Sequence, residues 1–198
     1  MLELVTTEPS DQTKWKVHDE WVVDDTRRAR LSVADVELPD GVRFEQYVFR
    51  APRAAVVLVL DKRDRVLMTY RHRFIIDRWV WELPGGYVDD EEDPVIAASR
   101  EVEEETGWRP RSIEPLVSFQ PMVGTVDSEN LLFLARGAEP TDSPPDVNEA
   151  ERIDWVPLKD VMGLIDRGEI VGSSSVVALL RLLLMQCEEK GTGGSTLT

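Results

Sequence analysis

The sequence predicts an α/β protein in which an antiparallel β extension precedes one main domain. Three observations support this fold class. Segments of strand length, either alternating in polarity or continuously apolar, recur along most of the chain. A short helix is predicted among those strands, between Pro94 and Gly107. A leucine-rich helix follows near the C-terminus, over about 173–186.

Length and composition limit the class of protein. The 198 residues predict a tail and β extension over 1–50, a main domain over 51–190 and a flexible tail over 191–198. The formal net charge of −15 argues against nucleic-acid binding, which depends on basic surfaces. One cysteine and two histidines exclude an internal disulfide and argue against a zinc site. Without an evident signal peptide or a bilayer-spanning apolar run, the expectation is a cytoplasmic protein with no membrane partner.

The predicted elements alternate between strands and helices. Strands are predicted over 21–23, 31–38, 42–49, 54–60, 65–70, 113–120, 131–135 and 153–156. Pro39-Asp40-Gly41 predicts a hairpin turn, and residues 137–150 predict a long acidic loop. A short helix is expected over 157–167. The leucines of the last helix occupy nearly all its sides, which indicates burial within the fold or at a subunit interface.

The short helix has well-marked ends and a predicted apolar stripe. Asp93 is a good N-cap residue, and Pro94 suits the first helical position. The helical spacing of Val95, Ala98 and Val102 predicts the buried face.

Three glutamates recur on the same helix. Glu101, Glu104 and Glu105 lie at i, i+3 and i+4, so their carboxylates are expected to share a face apart from the apolar stripe. Like charges this close destabilise a helix, whereas a hard divalent cation with oxygen ligands would reverse that cost. Taken alone, the three glutamates are more simply interpreted as a solvated acidic face.

The surrounding spacing favours the cation. Residues 86–108 match G-x5-E-x7-R-E-U-x-E-E-x-G-U, where U is a bulky apolar residue, and they resemble the Nudix box. The matching residues are Gly86, Glu92, Arg100, Glu101, Val102, Glu104, Glu105, Gly107 and Trp108. Trp108 is less usual than an aliphatic residue at the last position. The Glu-Leu-Pro-Gly-Gly sequence at 82–86, with Arg71 before it and the β extension, looks like the ADP-ribose pyrophosphatase branch.

This resemblance implies a fold and a reaction. The fold would be the Nudix α/β/α sandwich with a mixed sheet. The reaction would be metal-dependent hydrolysis of the pyrophosphate bond in a nucleoside diphosphate linked to another moiety, such as ADP-ribose or a nucleotide sugar. Mg²⁺ is the expected cofactor, with Mn²⁺ as a substitute. A small-molecule nucleotide is the expected substrate, and a homodimer the expected assembly.

The resemblance also assigns roles to residues. The metal ligands would be the Gly85 carbonyl and the carboxylates of Glu101, Glu104, Glu105 and Glu151. Arg100 would orient the glutamates of the helix, and Glu149 is the candidate base. For Glu149 and Glu151, an equally good interpretation is that they are surface carboxylates of an acidic loop. The expected substrate-binding residues are Arg71, Arg73, Glu82 and Gly86. The two arginines suit a diphosphate because the planar guanidinium matches phosphate oxygens.

Two other functions stay open on sequence grounds. One is a non-catalytic nucleotide sensor, although the box is intact and no basic helix-turn-helix segment is visible. The other is a house-cleaning pyrophosphohydrolase of nucleoside triphosphates. ADP-ribose pyrophosphatases often carry Ser-Pro-Gly after the box, whereas this chain has Val123-Gly124 with the proline at Pro121. That departure weighs against ADP-ribose as the preferred substrate.

Overall fold

The chain divides into two compact units in a computed structural model that describes residues 13–142, 144–145 and 150–192. The first unit comprises Met1–Ala51 with Met122–Asp127, and the second comprises Pro52–Pro121 with Ser128–Thr198. No helix in the described part is long and apolar enough to cross a membrane.

The first unit contains a four-stranded sheet. Its strands are β1 (Lys16–Asp24), β2 (Arg30–Glu37), β3 (Arg43–Arg50) and β10 (Val126–Asp127), in the order β1-β2-β3-β10. The first three are antiparallel, and β10 pairs parallel with β3. Gly41 adopts φ 88° in the turn between β2 and β3, which confirms the predicted hairpin.

The second unit contains a mixed seven-stranded sheet and a small two-stranded one. The large sheet comprises β4 (Ala54–Leu60), β5 (Arg65–Arg73), β6 (Arg78–Glu82), β7 (Gly85–Tyr87), β9 (Ile113–Phe119), β11 (Asn130–Arg136) and β13 (Arg152–Pro157). Its central order is β13-β5-β4-β11-β9, with β6 paired to β5 and β7 paired to β4. Strands β8 (Trp108–Pro110) and β12 (Ala138–Pro140) form the small sheet.

Helices cover both faces of the large sheet. They are α1 (Pro94–Thr106), α2 (Val161–Asp166), which follows a 3-10 turn at Leu158–Asp160, and α3 (Ser173–Thr192). Strand β4 is continuously apolar because alternate residues face two cores. Val57 and Val59 pack with the buried side of α1, whereas Leu58 packs with α2 and α3. The α/β/α sandwich predicted from the sequence is therefore confirmed.

Helix α1 has the predicted ends but a different buried face. The Asp93 side chain accepts a hydrogen bond from the Val95 N–H, and Gly107 ends the helix with φ 70°. The prediction that Val95 belongs to the buried stripe is wrong. Val95 lies in the first turn, at the N-terminal end of the helix, and is 38% exposed. Glu105 instead falls on the buried side, with 5% exposure, so the three glutamates do not share one solvated face.

Other elements differ from their predicted extent. Strands β6 and β7 occupy the segment 78–87, where no strand was predicted, and β12 occupies part of the expected long loop. Helix α3 continues to Thr192. Some of its apolar side chains are not covered by the rest of the described chain. Leu180 is 39% exposed and Leu184 is 57% exposed, so the prediction of burial on nearly all sides is wrong within this chain.

Candidate active site

A pair of glycines lies between strand β4 and the acidic side of α1. Gly85 pairs with Val56 and Gly86 with Ala55. A Cβ on Gly85 would lie 2.4 Å from the Ala55 carbonyl oxygen, and a Cβ on Gly86 would lie 2.5 Å from the Glu101 carboxylate. Only glycine therefore allows this strand to approach both β4 and the helix closely.

Glu105 is held between this strand and β5. Its Oε1 accepts from Arg71 Nη2 at 3.2 Å, and its Oε2 accepts from the Gly85 N–H at 3.1 Å. The side chains of Arg71 and Glu105 are only 11% and 7% exposed. A buried carboxylate needs such partners, because removing a charge from water is costly unless it is paired.

Arg100 gathers the remaining box carboxylates. Its guanidinium donates to Glu92 through two nitrogens, each at 3.0 Å. It also donates to Glu101 at 2.8 Å and to Glu104 at 3.1 Å. The hydrogen bond from Arg100 lowers the pKa of Glu92 below its usual range. One arginine thus offsets the mutual repulsion of three carboxylates.

The other candidate residues make contacts outside this centre. Arg73 donates to Glu82 Oε2, with Nη2 at 2.6 Å, so these two residues form a pair on neighbouring strands. Glu151 is exposed, and its N–H donates to the Tyr70 carbonyl at 2.9 Å, next to Arg71 on β5. Glu149, the candidate base, lies outside the described residues.

One positioning residue was not anticipated. Ser175 on α3 is buried, and its Oγ accepts from the Leu83 N–H at 3.0 Å, two residues before the glycine pair. The Pro84 carbonyl accepts from the Val57 N–H at 3.0 Å. These bonds fix the approach of the chain to Gly85. A serine in the first turn of a helix gives no signal of a partner 92 residues away.

The donor chemistry fits a hard divalent cation. Glu101 contacts Gly86 and Glu105 contacts Gly85, so two carboxylates and the glycine backbone lie together. Carboxylate and carbonyl oxygens are the ligands that Mg²⁺ and Mn²⁺ prefer. No group of three acidic, histidine or cysteine side chains among the described residues is close enough to hold a metal. A third carboxylate would have to come from a side chain that can move, and Glu104 is 57% exposed.

The comparisons with known proteins decide the family. Residues 50–176 match the NUDIX domain. This chain belongs to the Nudix family. The chain is 48% identical over 170 residues to a CMP-5′-(N-acetyl-N-hydroxy-3-aminopropyl)phosphonate hydrolase from Streptomyces rubellomurinus, a match covering 86% of this chain and 82% of that protein. It is 28% identical to an ADP-ribose pyrophosphatase of Bacillus subtilis, over 79% of this chain and 85% of the relative.

A solved structure supports the fold of this Nudix protein. The crystal structure of an ADP compounds hydrolase superimposes with a TM-score of 0.74 and covers 93% of this chain and 97% of its own. Its sequence identity is 19%, so this likeness concerns the fold alone. Together with the hydrolase relatives, the family match identifies the chain as a Nudix pyrophosphohydrolase, and Nudix hydrolases generally use divalent metals.

Proposed function

We propose that this Nudix protein hydrolyses the P–O–P anhydride that joins a nucleoside monophosphate to a second phosphorus-bearing moiety. Water adds at one phosphorus, the bridging P–O bond breaks, and two acidic products leave. The observation that carries the proposal is the position of Glu105, which lies between Arg71 at 3.2 Å and the Gly85 N–H at 3.1 Å. This arrangement places a carboxylate, an arginine and bare backbone within one small volume.

The relatives support this substrate class. One is named for the hydrolysis of a CMP phosphonate and the other for that of ADP-ribose. Both names describe a nucleoside monophosphate in anhydride linkage to another phosphorus acid, one a phosphonate and the other a sugar phosphate. The greater identity to the first, together with Val123-Gly124 in place of Ser-Pro-Gly, favours a partner other than ribose phosphate.

We assign the metal ligands to the acidic side of α1 and the glycine pair. Glu101, Glu105 and the Gly85 carbonyl would hold the cation, with the exposed Glu104 and Glu151 as additional ligands. When bound, the cation neutralises charge on the phosphoryl oxygens and lowers the pKa of a coordinated water. Arg100 keeps Glu101 oriented by its hydrogen bond of 2.8 Å. Glu92 holds Arg100 in turn, through two bonds of 3.0 Å.

The remaining groups would bind the substrate and accept a proton from the attacking water. Arg71 and Arg73 lie on one strand ahead of the box and supply planar donors for anionic phosphoryl oxygens. Each is paired with a carboxylate, Glu105 or Glu82, so the guanidinium planes are held in place before a substrate binds. Gly86 leaves room for the carboxylate of Glu101, one of the proposed metal ligands. Glu149 or Glu151 would accept the proton of the attacking water.

A substrate panel tests the reaction. The purified chain is incubated with Mg²⁺ or Mn²⁺ and ADP-ribose, other nucleotide sugars, a CMP phosphonate anhydride, dinucleoside polyphosphates and nucleoside triphosphates, and the nucleoside monophosphate formed is measured by chromatography. We expect turnover of anhydrides with a phosphonate or sugar phosphate, and none without the cation. Preference for triphosphates would indicate the house-cleaning activity. Absence of turnover, together with nucleotide binding that Arg73→Ala weakens, would indicate a sensor.

The variant Glu105→Gln tests the assigned centre. Loss of its charge should lower kcat at least 100-fold, because the carboxylate both binds the cation and holds Arg71. Glu103→Gln is the matched control: it lies on the same helix but pairs with Arg109, at 2.9 Å, outside this centre. Full metal-dependent turnover by Glu105→Gln would show that the ligand assignment is wrong.

A further inference from the structure

A cavity in the second unit carries aromatic and basic side chains that the proposed reaction does not use. Its volume is about 660 Å³, and it is lined by the turn between β4 and β5 together with Trp108, Arg111, Arg136 and Trp155. The glycine pair contacts β4 at Ala55 and Val56, whereas the cavity lies at Leu60, where β4 ends. At 3.2–3.4 Å per residue, these positions are about 13 Å apart along the strand.

Two tryptophans form one wall of this cavity. The rings of Trp108 and Trp155 meet edge to face, with centroids 5.3 Å apart and an interplanar angle of 89°. Both side chains are half-buried, so each is packed on one side and accessible on another. The guanidinium of Arg65 lies 5.8 Å from the Trp155 ring. Trp108 occupies the last position of the Nudix box, where an aliphatic residue is usual, and it both packs against the core and lines this cavity.

The lining of the cavity has more cations than carboxylates in an otherwise acidic protein: Lys62, Arg63, Arg65, Arg111 and Arg136 against Asp61 and Asp64. Lys62 and Arg63 project from the turn and form no ion pair with any residue that the structure describes. Arg111 pairs with Glu139, and Arg136 is 3.8 Å from Glu114, so these two cations already have carboxylate partners at exposed positions. A cluster of cations in a chain of net charge −15 is a local attraction for an anion.

The turn that presents the two cations is held by its own hydrogen bonds. Asp61 Oδ1 accepts from the N–H groups of Arg63 at 2.8 Å and Arg65 at 2.9 Å. Asp61 Oδ2 accepts from the Arg65 guanidinium at 2.6 and 2.9 Å. The Asp64 carbonyl accepts from the Leu158 N–H at 2.8 Å, which ties the turn to the segment after β13. Lys62 and Arg63 therefore extend from a fixed backbone.

We propose that this cavity is a second binding site, separate from the hydrolytic one, for a nucleoside monophosphate. Lys62, Arg63 and Arg111 bind the phosphate, and the base lies against the accessible surfaces of Trp108 and Trp155. Base–aromatic stacking tolerates any base, so the site selects a nucleotide without selecting its base. The volume lies within the range of small-molecule sites. The site is independent of the proposed hydrolysis and would stand if that reaction failed.

Calorimetric titration with CMP and AMP in EDTA tests the site. Without a cation, the carboxylates of the box repel phosphate, and the cavity variants show whether the binding that remains lies in the cavity. We expect one nucleotide per chain. The double variant Lys62→Ala/Arg63→Ala should bind at least tenfold more weakly, because hydrogen bonds between ions are lost. Trp108→Leu, which restores an aliphatic residue, should weaken binding about tenfold. Arg181→Ala removes an exposed cation of α3 and should change affinity less than twofold.

The outcomes separate the two sites. The double variant alters exposed side chains only, so its hydrolysis of the preferred substrate should equal that of the unmodified chain, and a thermal melt checks that it folds. Absence of binding to the unmodified chain, or equal affinity in both cavity variants, would overturn the proposal. Inorganic phosphate should bind at least tenfold more weakly than CMP; equal affinity would refute the stacked base.

Discussion

Gly86 is the residue at which one methyl group would disturb the site most directly. A Cβ there would lie 2.5 Å from Oε2 of Glu101, so the carboxylate would have to move by about 1 Å to reach van der Waals distance. The Glu101 side chain can rotate, which spares the fold but misplaces a proposed metal ligand. We therefore expect Gly86→Ala to lower kcat/KM about 100-fold, as misplacements of this size do.

The measurement is steady-state hydrolysis of the best substrate from the panel, together with a thermal melt. Gly163→Ala on α2 is the matched control, because its Cβ would meet only the end of the Arg167 side chain, at 3.1 Å. The control should retain activity and melt at the same temperature or slightly higher, since alanine favours a helix. Equal kcat/KM for Gly86→Ala and the unmodified chain would show that Glu101 is not held as described.

At the residue scale, the spacing of the sequence identified the glutamates and Arg100 as candidate site residues but did not predict their environment. The pattern from 86 to 108 is local, so it identifies side chains on one loop and one helix. The burial of Glu105 depends on Arg71, 34 residues earlier, and on a strand that sequence reasoning did not predict. Long-range partners of this kind are set by strand pairing, which a single sequence does not specify. Ser175 is a second example. Its partner is the backbone N–H of Leu83, 92 residues away, and a backbone group leaves no signal in the sequence.

At the element scale, the strands of the first unit are joined by a polar cluster on three of them. Glu20 on β1 accepts from Ser32 on β2 at 2.6 Å and from Arg50 on β3 at 2.9 and 3.2 Å. The hydrogen bond from Arg50, followed by that from Ser32, lowers the pKa of Glu20 from 4.5 to about 2. This cluster connects β1, β2 and β3 through side chains, in addition to their backbone hydrogen bonds, and adds to the stability of the folded unit.

The sign of the pH effect follows from the lowered pKa. The unfolded chain binds a proton at Glu20 near pH 4.5 and the folded chain only near 2, so the contribution is complete above pH 4.5 and is lost as the pH falls towards 2. We expect Glu20→Gln to cost about 1 kcal/mol at pH 7, a value reduced by solvent screening because the Glu20 side chain is 26% exposed.

Urea unfolding of both proteins, followed by circular dichroism at pH 7, 4.5 and 3, measures the difference. The cost of the substitution should be largest at pH 7 and smaller at pH 3. Glu45→Gln on β3 is the control, since Glu45 is exposed and lies outside the cluster. A difference that stays constant from pH 7 to 3 would mean that the ionised carboxylate is not the stabilising group.

Strands with a clear period over many residues were predicted more completely than the shortest ones, although the nine-residue β1 was predicted only over 21–23. The alternation of 31–38 and the apolar run of 54–60 each span enough residues to define a period, and both appear as β2 and β4. Strands β7, β8 and β12 have three residues each, too few for a period to be recognised. Strand β7 pairs with the longer β4, whereas β8 and β12 pair only with each other, so each depends on a partner that is distant in sequence. A long element can also be predicted incompletely. Leu180 and Leu184 are exposed, because apolar composition does not say which side of a helix is covered.

At the scale of the whole molecule, the distribution of charge matters more than its sum. A net charge of −15 repels nucleotides at long range, yet the proposed substrate arginines are basic and the cavity lining has more cations than carboxylates. Screening by salt acts mainly on the distant charges, whereas contacts between a phosphate and an arginine fork persist. The two proposed sites therefore concentrate anions locally while the acidic remainder maintains solubility.

Assembly is the last expectation at this scale. The first unit exposes aromatic residues on its sheet: Trp21 is 41% exposed, Tyr47 62% and Phe49 39%. Trp21 and Tyr47 both lie opposite Val33, so they share one face of the sheet. Clustered apolar groups on a surface mark a site of association, and two copies joined by the same face form a closed twofold dimer. We expect a homodimer through this face.

Size-exclusion chromatography with light scattering tests this expectation at micromolar concentration. The unmodified chain should have twice the monomer mass of 22.5 kDa, and Tyr47→Glu should elute as a monomer because a charge would be buried at the interface. Leu184→Glu, at a 57% exposed position of α3, should remain dimeric. A monomer from Leu184→Glu and a dimer from Tyr47→Glu would assign the interface to the apolar helix instead. A single 22.5 kDa species from the unmodified chain would exclude the dimer under those conditions.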